Sequence, residues 1–65
     1  MTNLKTLAET YRAHNVKTDS PFADIYDAAY EYYAARRPME EGEEEVHWMF
    51  RIEELADNAA GHFLA

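Results

Sequence analysis

The chain has 65 residues, no cysteine and a formal charge of −7, and it is 48% hydrophobic with five Tyr, three Phe and one Trp. That length leaves room for one small domain over residues 1–65. The lack of cysteine removes disulfide scaffolds and thiolate metal sites, and the aromatic load excludes a disordered acidic tail. The charge is also polarised. From Asp19 onward there are twelve Asp/Glu against three Lys/Arg (Arg36, Arg37 and Arg51), a balance of −9, whereas residues 1–18 hold Glu9 against Lys5, Arg12 and Lys17. Such asymmetry points away from nucleic acid and anionic membrane as direct partners, and toward a basic surface on another protein.

The first helix is expected over about residues 3–14, capped by Thr2 or Asn3, with Leu4, Leu7, Ala8 and Tyr11 at the i, i+3, i+4, i+7 spacing of an amphipathic stripe. Asn15 suits the helix end because asparagine tolerates the left-handed conformation there.

The second helix is expected over residues 21–36. Ser20 supplies the N-cap and Pro21 the first helical position, where a missing N–H costs nothing. Phe22, Ile25, Tyr26, Ala29 and Tyr33 form its apolar stripe, and Pro38 stops it near Arg36. Tyr26 and Tyr33 are expected in the core with hydroxyls at the rim, and Tyr30 and Tyr32 half exposed on opposite sides of the stripe. At about 100° per residue, Asp24, Asp27 and Glu31 fall opposite the stripe.

A third helix is expected over about residues 40–60, its start blurred by Gly42 and its end set by Gly61, with Phe63 and Leu64 in a tail that folds back. Trp48, Ile52, Leu55, Ala56, Ala59 and Phe63 make its main apolar arc. Val46 and Phe50 lie about 120° or more from that arc, beside Glu43, Glu53 and Asp57. They either meet the first helix or form an apolar interface rimmed by carboxylates. The whole reads as an all-α bundle of three helices with an acidic outer face. No stretch approaches the roughly 20 apolar residues of a membrane span, and the N-terminus lacks the apolar region of a signal peptide.

Catalytic chemistry is not evident. The only glycines, Gly42 and Gly61, make no phosphate loop, and Ser20 is already engaged as a cap. The carboxylates sit on exposed faces where nothing would raise a pKa for acid catalysis. Glu44 and His47 have the Glu-x-x-His spacing of di-iron bundles, but such sites need two copies and two further glutamates. In a run of five glutamates within six residues that spacing is expected from composition alone. His14 and His62 read as ordinary surface residues. No catalytic residue, metal or cofactor is therefore expected.

The acids carry the functional reading. Like charges at i, i+3 and i+4 destabilise their own helix, so solubility alone explains their arrangement poorly. Asp24, Asp27 and Glu31 advance along the axis by about 4.5 and 6 Å, a density of negative charge comparable with the phosphate spacing of about 3.4 Å along one DNA strand. Glu40, Glu41, Glu43, Glu44 and Glu45 add a cluster, and Glu53, Glu54 and Asp57 extend it if the second and third helices lie side by side. In length, acidity, helical character and lack of cysteine, the chain resembles the small phage-encoded anti-CRISPR and anti-restriction proteins, several of which mimic DNA. The resemblance spans the chain in style and rests on no motif. It implies a non-enzymatic inhibitor in the cytoplasm of an infected bacterium, covering the basic DNA-binding surface of a CRISPR-Cas effector subunit. The alternative is a small acidic adaptor or homodimer docking through Val46, Phe50, Tyr30 and Tyr32. Monomer and homodimer remain open at this point.

Overall fold

A computed structural model describes residues 6–64. Three helices account for most of them, α1 (Leu7–Ala13), α2 (Phe22–Arg36) and α3 (Glu45–Leu64), and no strand occurs among the described residues. The expected all-α architecture of three helices is the one found.

The helix ends differ from expectation in instructive ways. Thr2, Asn3 and Leu4 lie outside the described residues; the N-cap of α1 is Thr6, whose hydroxyl accepts from Glu9 N–H at 3.1 Å and donates to the Glu9 carboxylate at 3.2 Å. Thr6-x-x-Glu9 has the sequence of a capping box, with the Glu9 carboxylate returning to the Thr6 hydroxyl. At the other end Asn15 takes φ 61°, as expected. Val16 N–H returns to Tyr11 O and Asn15 N–H to Arg12 O, which is the Schellman pattern, and Val16 packs against the core.

Ser20 does not cap α2. Its hydroxyl accepts from Lys17 N–H at 2.7 Å, closing the preceding turn. Pro21 occupies the cap position with extended ψ and no side-chain hydrogen bond, so α2 begins one residue later than expected. The proline ring fixes φ and leaves ψ free, and the serine hydroxyl has a nearer donor.

The start of α3 is the largest revision. Glu40–Glu43 form a turn closed by Glu43 N–H to Glu40 O at 3.0 Å, with Gly42 at φ 83°. A positive φ at the third position is what a type II turn demands, and glycine adopts it without strain. Gly42 is therefore a break, and the helix waits until Glu45. Gly61 does not end it. The helix continues through Phe63 to Leu64, so no tail folds back.

α2 lies in the middle. It packs against α3 as an antiparallel hairpin and against α1, whereas the backbones of α1 and α3 do not approach each other. At the far end of α3 a side chain bridges them, the Phe63 ring tilted against Tyr11 with centroids 4.8 Å apart. The result is flat, with extents of 39 × 29 × 15 Å.

The core is correspondingly thin. Tyr11, Ile25, Ala28, Ala29, Ile52, Ala56 and Ala60 are buried, four of them alanines on the facing sides of α2 and α3. Small residues let two helices approach closely, and large rings do not fit a gap that narrow. The buried face of α2 is therefore turned from the expected aromatic stripe toward Ala28. Tyr26 and Tyr33 are half-buried rather than core, and Phe22 is exposed. At the loop end of the hairpin the Trp48 ring nitrogen donates to Arg37 O at 2.6 Å, tying the start of α3 to the end of α2.

Candidate partner-binding face

The acids expected to act together divide into four groups. Glu31 faces α1, where its carboxylate is bonded to the His14 ring nitrogen, so His14 is a partner of α2 rather than an idle surface residue. Glu43 faces Arg51. Its carboxylate takes the guanidinium at 2.8 and 3.3 Å and also accepts from Glu40 N–H at 3.0 Å. The Arg51 hydrogen bonds hold the Glu43 carboxyl below its usual range, helped by the Glu40 N–H. Arg51 lies on the flank of α3 away from Val46 and Phe50, so Glu43 does not rim that pair, contrary to the sequence expectation.

The third group converges. Tyr26 is half-buried, and its hydroxyl pKa is raised first by burial, then by Glu53, Tyr30, Asp57 and Asp27. Asp27 comes from α2, and Glu53 and Asp57 from α3, so the two helices present acid to one place. Phe22, Tyr26 and Tyr30 line this flank of α2 as a ladder, with centroids 6.3 and 6.2 Å apart. Tyr32 lies elsewhere, with the Arg36 guanidinium 4.7 Å from its ring centre and Tyr33 edge-on. The Tyr30 and Tyr32 pair expected at one apolar interface is therefore split.

Asp24, Glu54 and the turn residues Glu40, Glu41 and Glu44 are exposed, as is Glu45 in the first turn of α3. Glu44 precedes the first helical residue of α3, so the Glu44–His47 spacing does not lie within one helix. No group of three or more metal-ligating side chains gathers among the described residues. A shallow depression lined by Asp57, Asn58, Gly61 and His62 is open to solvent. No helix among the described residues is long and apolar enough to cross a membrane.

The apolar pair is fully displayed. Phe50 is 62% exposed, Val46 49% and Met49 38%. The first helix does not cover them: α1 is seven residues long and its backbone does not approach α3. Met49 extends the pair and follows from the i, i+3, i+4 pattern, although sequence reasoning passed over it. Comparison with protein families, characterised proteins and solved structures finds no match.

Proposed function

We propose that this chain is a non-enzymatic inhibitor that binds the basic nucleic-acid-binding surface of a partner protein and keeps DNA out. A CRISPR effector subunit is the partner class its style suggests. The observation that supports the reading is that Asp27 of α2 and Glu53 and Asp57 of α3, on two helices packed side by side, all act electrostatically on Tyr26. Carboxylates held on rigid helices can make charge-assisted bonds to the Lys and Arg that otherwise grip phosphate. Asp24 and Glu54 extend the same negative field. Glu31 and Glu43 contribute less, because His14 and Arg51 already engage them. Such an inhibitor needs no reaction and no cofactor; it needs a rigid surface and long-range attraction.

The test is displacement of labelled duplex DNA from purified CRISPR and restriction complexes across a salt series. The wild-type chain is expected to displace DNA at low salt and less as salt rises. Asp27→Lys/Glu53→Lys/Asp57→Lys, shown to be folded by circular dichroism, is expected to lose displacement. Equal displacement by that variant, or none by the wild type, would remove the mimic reading.

A further inference from the structure

The first two turns of α3 carry an apolar stripe that the fold does not use. Val46, Met49 and Phe50 are large, adjacent at i, i+3 and i+4, and exposed. Burying what they still expose would be favourable, yet the fold buries Ile25, Ile52 and small alanines instead and leaves these three in solvent.

The surroundings decide what can cover this stripe. Glu53 and Asp57 each point within about 20° of Val46 around α3, one to either side, with Phe50 about 40° from Val46. Glu44 and Glu45 lie just before the stripe, and Glu53, Glu54 and Asp57 just after it. From Val46 to Asp57 the surface runs about 16 Å along the helix, apolar in its first half and acidic in its second. A second copy fits poorly. A two-fold pairing through Phe50 would set the acids of one α3 against those of the other, in a chain already at −7.

We propose that this stripe is a docking site for an amphipathic basic helix of a partner protein, whose apolar residues cover Val46, Met49 and Phe50 while flanking Lys or Arg meet Glu44 and Glu45 at one end and Glu53 and Asp57 at the other. An apolar helix face in a groove, with charges setting register, is a recurrent mode of recognition. The inference goes beyond DNA mimicry. It is carried by the apolar triad and stands even if Asp24 and Asp27 are spectators.

The experiment uses two probes and the full chain. One is a helical peptide with leucines at i, i+3 and i+4 bracketed by lysines; the other is oligolysine of equal charge. Titration calorimetry is expected to show the leucine peptide binding at least tenfold more tightly than oligolysine. Phe50→Ser and, separately, Val46→Ser should weaken it tenfold or more, and Asp19→Asn, in the loop before α2, should leave it unchanged. Circular dichroism checks that each variant folds, and the exposure of both side chains makes that the expected result. Three results would overturn the proposal: equal affinity for oligolysine, indifference to both serine variants, or a wild-type dimer that Phe50→Ser dissolves. Failure of the mimic reading shows separately, as a wild-type chain that displaces no DNA yet binds the leucine peptide.

Discussion

The two halves of α3 place their apolar residues in opposite ways. From Ile52 onward the helix buries Ile52, Ala56 and Ala60 and half-buries Leu55, Ala59 and Phe63. Before Ile52 it leaves Val46, Met49 and Phe50 in solvent and half-buries only Trp48 and Arg51. Hydrophobicity cannot explain the contrast, because the exposed half holds the larger side chains. Neighbours explain it. The C-terminal half has α2 alongside and Tyr11 of α1 against its end, while among the described residues no third helix covers the outer flank of the N-terminal half. One half builds the fold, and the other is available to a partner.

The largest expected effect lies in the packed half. Ile52→Ala should cost about 2–5 kcal/mol in urea unfolding; a cost near zero would mean that the hairpin does not depend on this contact. Ala60→Leu should follow at about 1–3 kcal/mol, since an added branched side chain would force α2 and α3 apart. If it stabilises instead, the close helix approach is not a constraint.

Two smaller effects probe how the chain ends and starts these elements. Asn15→Val should cost about 1–2 kcal/mol, because a β-branched residue is strained at positive φ, whereas Asn15→Gly should be near neutral in the same assay. Glu43 supplies a pH-dependent effect. Its folded pKa lies below its ordinary value, so it stabilises the fold above the unfolded pKa, and that contribution is lost as pH falls through the folded pKa. The raised pKa of Arg51 lies too high to matter in this window. Unfolding midpoints from pH 7 to pH 3 should fall less steeply for Glu43→Gln than for the wild type, and parallel curves would deny the Arg51 clamp a role.

Much of the fold was legible in the residues. Ile25 and Ala29 of the expected α2 stripe, the α3 arc from Trp48 to Phe63, Asn15 as a left-handed stop and Pro38 as a barrier follow from local rules and are found; Phe22, Tyr26 and Tyr33 of that stripe lie outside the core. The Thr6-x-x-Glu9 box was legible too but was overshadowed by Thr2 and Asn3. What could not be read was pairwise. Ser20 is a good cap by type, yet Lys17 N–H takes its hydroxyl. The aromatics of α2 outweigh its alanines on any hydrophobic scale, yet the alanines of α3 select Ala28 and Ala29 as their partners. Gly61 ends helices often, but nothing at this position requires a left-handed residue. In the candidate face, the separation of Glu31 from Asp27 depends on where α1 lies, and no spacing within α2 encodes that.

The claim most open to direct test is that the stripe at the start of α3 takes no part in folding. Equilibrium unfolding of Val46→Ser/Phe50→Ser at two well-separated protein concentrations addresses it. A stability within about 0.5 kcal/mol of wild type, unchanged with concentration, is the result the account predicts. A loss on the scale of Ile52→Ala, or a wild-type midpoint that rises with concentration, would place Val46 and Phe50 in a core and contradict it.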